Sequence, residues 1–185
     1  DGICYLTGTV EEGTLAVGEQ VKTEVNWDRH YALARSHTGT HLLQAALRRI
    51  LGEQVTQAGS LVLPDHLRFD FTWPEPVSEA QLDAAERLVN EEICKAAKVS
   101  ISQMALEEAK KSGAMALFGE KYGNIVRVVK VDDFSMELCG GSHVSNTGAI
   151  GSFLILGESG IGSGIRRIEA VTGKAAYEMM KEDRQ

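Results

Sequence analysis

The stretch Arg35-Ser36-His37-Thr38-Gly39-Thr40-His41-Leu42-Leu43 sets two imidazoles four residues apart at the head of an apolar, helix-like run. In an α-helix that spacing is about 6 Å of rise and nearly one full turn, so both rings leave the same face. Two nitrogens converging there can share one cation at roughly 2.0–2.1 Å each, the usual zinc–histidine distance. A complementary half lies far downstream, in Cys139-Gly140-Gly141-Ser142-His143. Its glycines permit the tight bend that would close Cys139 and His143 on the same metal. Three of the chain's five His, and the Cys followed by the glycine pair, fall in these two motifs. The expectation is one Zn2+ site built from His37, His41, Cys139 and His143.

A length of 185 residues suits one domain with a small attachment and is ample for a core, and 43% hydrophobic with 24% charged residues is ordinary for a globular chain. No apolar run approaches the roughly 18–20 residues that span a bilayer, and no leader resembles a signal peptide. Cys4, Cys94 and Cys139 stand at unrelated spacings, which gives no disulfide framework and points to a reducing, cytoplasmic setting. The first residue is Asp rather than Met, which suggests a segment of a longer protein. A net charge of −7 argues against coating nucleic acid through its phosphates. Any RNA contact is therefore local, or another domain supplies the affinity.

Around the first motif the chain reads as alternating strands and helices. Leu15, Val17, Val21, Thr23 and Val25 share one strand parity, with turns at Gly13 and Gly18, so residues 1–27 read as a truncated, partial β-barrel-like module. Asp28 is a plausible N-cap for a helix to residue 51, with Leu42, Leu43, Ala46, Leu47 and Ile50 as its buried stripe and Gly52 as its terminator. Gly39 inside that helix reads either as tolerated or as room left for a ligand beside the metal.

Residues 57–73 read as a hairpin, and Ser78 with Gln81 forms a capping box for a helix to about residue 98. Cys94 beside that helix's apolar stripe reads as a small buried hydrophobe. Further strands are expected at 99–104, 124–132, 151–157 and 165–172, and helices at 105–111 and 173–181. Residues 113–123 read as a loop with a helical turn. The glycine run 160–164 reads first as a hairpin turn and second, with Arg166 or Arg167, as a phosphate-holding loop. Arg48-Arg49 and Lys110-Lys111 read as solvated helix faces. Hairpins interrupted by helices give an α+β class: an antiparallel sheet packed with long helices around a zinc-bearing cleft.

A hydrolytic metalloprotease would carry Glu beside its first His to activate water, and here that position is Thr38. A Cys/His set also occurs in purely structural zinc sites. Spacing alone leaves a core staple and a functional site both open.

The two motifs, His37-Thr38-Gly39-Thr40-His41-Leu42-Leu43 and Glu137-Leu138-Cys139-Gly140-Gly141-Ser142-His143-Val144, closely resemble the editing domain of alanyl-tRNA synthetases and their freestanding trans-editing relatives. The resemblance continues through Gly59-Ser60-Leu61, Leu67-Arg68-Phe69-Asp70-Phe71, the ALFGEKYG run at 116–123 and the RRIEAVTG run at 166–173. The last two runs look more like the synthetase than the standalone proteins, and the threonyl-tRNA synthetase editing domain fits them less well. The resemblance implies that residues 28–185 are an aminoacyl-tRNA deacylase unit that hydrolyses Ser or Gly from the 3′ end of tRNA(Ala), with zinc on His37, His41, Cys139 and His143. It implies that Thr40 lines the editing pocket and that Gln57 discriminates the misattached amino acid. Aminoacylation, and the ATP binding that serves it, would belong to the full-length parent, whose other domains would be partners. Relatives more usually read CGGTH and carry Ala at the position of Gly39, and neither difference touches a ligand. A freestanding deacylase and a non-catalytic, zinc-stapled RNA-binding module are the other readings.

Overall fold

Asn26 starts the helix that holds the rest together. Its side-chain oxygen accepts from the Arg29 amide at 3.0 Å, capping α1 (Trp27–Leu51) two residues earlier than the expected Asp28, which sits in the first turn instead. Gly52 ends the helix, its N–H bonding the Arg48 carbonyl. The computed structural model describes residues 5–116 and 122–182. From Thr38 to Leu47 every residue of α1 is buried, so the expected single apolar stripe is in fact a helix surrounded on all sides. It is flanked by α2 (Glu79–Cys94), by the strands β1 (Gln57–Val62), β2 (Leu67–Thr72) and β7 (Ile165–Thr172), and by β5 (Ser135–Leu138).

The expected antiparallel sheet is two. One has the order β1-β2-β7-β6, with β6 spanning Phe153–Gly162; the other is β3 (Val99–Ala105), β4 (Ile125–Val131) and β5. Every pairing between these strands is antiparallel. Leu67, Phe69 and Phe71 alternate along β2 and are fully buried with Leu42, Leu43, Leu47 and Ile168. Burying each such side chain contributes about 1.5–3 kcal/mol, which fixes the register of β2 against α1. A smaller cluster of Ala109, Val126, Val128 and Leu138 lies beneath α3 (Leu106–Lys111). The helix α4 (Gly173–Glu182) closes the described chain, and a short 3₁₀ turn, Thr147–Ile150, precedes β6. Among the described residues no helix is long and apolar enough to cross a membrane.

The ends of α2 show why it sits where it does. Ser78 and Gln81 form both bonds of the capping box. Lys95 caps the other end and Ala96 takes φ 51°, which turns the chain back toward β3 and ends the helix before residue 98. Along its length Asn90 grips β6: Nδ2 donates to the Phe153 carbonyl at 2.8 Å, and Oδ1 accepts the Phe153 amide at 3.0 Å. Glu86 accepts the Ile155 amide at 2.6 Å. Cys94, expected to be buried, is exposed. It stands about 100° around the helix from buried Ile93, beyond the apolar stripe.

The strands expected in 1–26 are not formed among residues 5–26. These residues are exposed coil, with positive φ at Gly13 (83°) and Gly18 (91°), and with Leu15, Val17, Val21 and Val25 all exposed. Alternation of apolar side chains makes a strand only where a neighbouring strand completes the ladder. The expected loop at 113–123 is described at its ends. Met115 is drawn alongside β5, its N–H donating to the Met136 carbonyl and its carbonyl accepting from Leu138, each at 2.8 Å. Residues 117–121 lie outside the described residues, and with them most of the ALFGEKYG run.

Candidate metal centre

Two stretches of the chain, a helix face and the loop after a strand, bring four side chains to one point. His37 and His41 leave one face of α1, where the rings stand edge to face at a centroid separation of 5.2 Å. The β5 strand runs out of the second sheet toward that face and delivers Cys139 and then His143. Cys139 Sγ lies 3.3 Å from His37 Nε2 and 3.4 Å from His143 Nε2, and the His143 ring is 4.5 Å from that of His41. One ligand-capable atom from each of His37, His41, Cys139 and His143 falls within 4.8 Å of every other. The distant motifs therefore meet as the sequence led us to expect, and the donor set is one that zinc takes in tetrahedral sites.

Several contacts aim these atoms. Thr38 Oγ1 donates to the Ala34 carbonyl at 2.9 Å, so its one proton is spent, and it can only accept from His143 Nδ1 at 3.1 Å. That places the His143 proton on Nδ1 and leaves the Nε2 lone pair facing Cys139. The same hydroxyl accepts the Val144 amide at 3.2 Å, which anchors the loop to α1. Arg127, on β4 beside Cys139, donates to the carbonyls of Cys139 at 2.7 Å and Gly141 at 2.8 Å. Gly141 is required for a different reason: a Cβ there would stand 2.1 Å from His37 Cε1, so only glycine lets the ring lie against the loop.

The electrostatics favour the metal-binding protonation states of the imidazoles. Burial holds His41 down to about 3, helped by the nearby charges of His37 and Arg127. His143 is held down to about 2, by burial first and by His41, His37 and Arg127 after it. His37 is also lowered, chiefly by burial, although a hydrogen bond to the Ser142 backbone opposes the shift. All three rings are thus neutral near pH 7, the form that donates a lone pair. Glu137, buried two residues before Cys139, is pushed up to about 8 by desolvation, against the hydrogen bond from Ser135.

Thr40 is buried on α1 next to His41, and its hydroxyl donates to the Ser36 carbonyl at 2.9 Å. Gln57 begins β1, opposite Phe71, and its Nε2 donates to Ser60 Oγ at 3.1 Å. Gly39 faces away from the metal group, because two residues along a helix is a rotation of about 200°. A Cβ there would meet Thr172 Cγ2 at 3.1 Å and the Phe153 ring at 3.4 Å, so its smallness serves packing on β6 and β7 rather than a ligand. The arginines of the phosphate-loop reading are engaged. Arg166 pairs with Glu158, and Arg167 makes two bonds to Asp70 at 2.7 and 2.8 Å. Gly160 and Gly162 lie within β6, and the turn is formed by Ser163 and Gly164. Arg48 and Arg49 are structural as well: Arg48 donates to the Val55 carbonyl at 2.7 Å, and the Arg49 guanidinium stacks 3.7 Å above the Phe134 ring.

In the sequence Thr38 reads only as the missing Glu of a protease motif, with no role of its own, and Arg127 carries no expectation. Arg127 had a usable signal, since a β4–β5 hairpin that pairs Val128 with Leu138 sets residue 127 opposite residue 139.

Residues 126–169 match the family described as the threonyl and alanyl tRNA synthetase second additional domain. The chain is 57% identical over 173 residues, 94% of its own length, to alanine–tRNA ligases of Bacillus anthracis and Bacillus mycoides, and 53% identical over 174 residues to that of Alkaliphilus oremlandii. It is a relative of one segment of alanine–tRNA ligases. The matched segment is about 20% of the length of each of these relatives. The second half of the metal group, Cys139 and His143, falls inside the matched family region, while His37 and His41 precede it.

Proposed function

We propose that the chain is the editing segment of an alanyl-tRNA synthetase and that it hydrolyses, with zinc, the ester joining Ser or Gly to the 3′ adenosine of tRNA(Ala). The observation that carries this reading is the convergence of His37, His41, Cys139 and His143 in a chain that matches alanine–tRNA ligases over 94% of its length. Residues 28–185 form the editing unit, and residues 1–27 lie outside it. The cytoplasm is the proposed setting. A net charge of −7 suits contact with the tRNA terminus alone, with other domains of the parent enzyme supplying the remaining affinity.

An aminoacyl ester is already activated, so holding its carbonyl and a water in the right geometry supplies much of the rate. With all four side chains bound, zinc would supply a fixed charge that organises the pocket and anchors the substrate. Thr38, Arg127 and Gly141 would hold the ligands in place while the tRNA end enters. Thr40 would line the pocket, offering its oxygen as an acceptor while its hydroxyl donates to the Ser36 carbonyl. Gln57 would read the amino acid side chain, rewarding the hydroxyl that distinguishes Ser from Ala.

The test combines metal analysis with release of serine from Ser-tRNA(Ala), comparing the wild type with His41→Ala and Cys139→Ala. Loss of both zinc and hydrolysis in the two variants is the expected outcome. Equal rates in all three proteins would remove the assigned site, and a zinc-loaded wild type that binds tRNA without releasing serine would leave a non-catalytic RNA-binding module.

A further inference from the structure

The ring nitrogens of His37 and His143 are oriented by named partners, yet His41 Nδ1 is buried without a hydrogen-bond partner, a state shared among the described residues only by Gln44 Oε1 and Arg68 Nε. A metal-bound imidazole keeps its other nitrogen protonated, and that N–H needs an acceptor to fix the ring. Glu137 Oε1 stands 3.7 Å from His41 Nδ1, with both side chains buried. The strand explains how it arrives there. Side chains two apart on a strand leave the same face, so Ser135, Glu137 and Cys139 all point toward α1, while Leu138 points the other way into the smaller core cluster. Ser135 Oγ donates to Glu137 Oε1 at 3.0 Å and steadies the carboxyl. One strand end thus presents a ligand thiol to the near side of the ring cluster and a carboxyl to the far side of His41. A shift of about 0.7 Å brings 3.7 Å to the ordinary N–H···O length of about 3.0 Å.

We propose that Glu137 is the positioning residue of the site: it accepts the Nδ1 proton of His41, fixing the tautomer and the ring angle that direct Nε2 to the metal. This inference rests on the metal reading of the four-residue group and goes beyond it by assigning an outer partner. Gln44, three residues along α1 from His41 and also buried with an unpaired oxygen, is the rival acceptor. Its Nε2 is directed to Met115 Sδ at 3.7 Å.

The experiment measures zinc affinity by competition with a chromophoric chelator and records the imidazole N–H resonances of the zinc-loaded protein by NMR. The proteins compared are the wild type, Glu137→Gln, Ser135→Ala and Gln44→Met. In the wild type the His41 Nδ1 proton is expected downfield and slow to exchange. Glu137→Gln should weaken zinc binding by about 10- to 100-fold, the usual cost of losing an outer-shell partner, and should move that resonance. Ser135→Ala should move it in the same direction by less, and Gln44→Met should leave it in place. Zinc affinity in Glu137→Gln within twofold of the wild type overturns the proposal. So does weakened affinity with an unmoved resonance, which would reduce Glu137 to a packing role, or a shift produced by Gln44→Met instead. If Glu137→Gln fails to fold, the wild-type resonance decides: exchange as fast as that of free imidazole overturns the assignment. A wild type that takes up no zinc overturns this proposal and the site reading together, whereas zinc binding indifferent to Glu137 overturns this one alone.

Discussion

Replacing Gly141 by Ala is the sharpest test of how the loop and the helix fit. The added carbon would stand 2.1 Å from His37 Cε1 and 2.4 Å from Nδ1. Non-bonded carbons settle at about 3.5–4.0 Å, so the ring must retreat by about 1.5 Å or the loop must lift by as much. A zinc–nitrogen bond tolerates about 0.2 Å, so the displaced ring leaves the coordination sphere or drags the loop with it. Overpacking of this kind costs about 1–3 kcal/mol, which is a loss of roughly 5- to 150-fold in zinc affinity. Backbone strain does not confuse the result, since neither Gly140 nor Gly141 has a positive φ. Gly140 supplies the control, because a Cβ there meets nothing within 4 Å. Chelator competition on Gly141→Ala, Gly140→Ala and the wild type should rank the first well below the other two. Equal affinity in all three, or equal loss in both variants, would refute the packing on which the site's geometry depends.

Thr38→Val removes the hydroxyl that pairs His143 Nδ1 and the Val144 amide, and should cost about 1–3 kcal/mol of stability in urea titrations of the metal-free protein. An unchanged denaturation midpoint would show that the hydroxyl is dispensable. Acidity gives a separate handle. His37, His41 and His143 have folded values below the ordinary 6.5, so the unfolded chain binds more protons and stability falls as pH drops below 6.5. Glu137 acts oppositely, because its folded value is raised from 4.5 to about 8, and its contribution is lost as pH rises through that interval. Between pH 6.5 and 4.5 the rings of His41 and His143, held to about 3 and about 2, outweigh one carboxyl, with His37 acting in the same direction, so urea midpoints of the chelator-treated protein should decrease on acidification; a flat or rising series would contradict the buried, neutral histidines.

Much of this molecule is written in local sequence pattern. Helix α2 was legible because Ser78 and Gln81 carry both halves of a capping box, and the β1–β2 hairpin because Leu67, Phe69 and Phe71 alternate with polar residues. The four ligand-capable residues were legible because two spacings compatible with a shared face or a tight loop used up most of the chain's His. What escaped depends on partners distant in sequence. The apolar alternation at Leu15 to Val25 carries no information about whether a neighbouring strand exists, and among the described residues none is there. The sequence leaves Gly39 open between a tolerated glycine and space beside a metal, and only its helical phase and the positions of Phe153 and Thr172 decide for packing. Arg48, Arg49, Arg166 and Arg167 looked free because a carbonyl, a ring or a carboxylate several elements away leaves no mark on the local pattern. The partners of the imidazoles were invisible for the same cause: Thr38 reads as a gap in a protease motif, and only the fold shows it joining α1 to the His143 loop.

The two-point hold of Asn90 on Phe153 has a consequence for strand placement. An amide that gives to a carbonyl and takes from the N–H of one and the same residue works as a ruler, because no neighbouring residue presents both groups with the same outlook. Slippage of β6 by a single step would bring Leu154 under the amide and turn Phe153, now almost wholly buried, out toward water. Helix α2 therefore indexes the margin of the sheet as well as shielding it, as far as the bulge between Ile155 and Gly157 where the pairing with β7 steps out of phase.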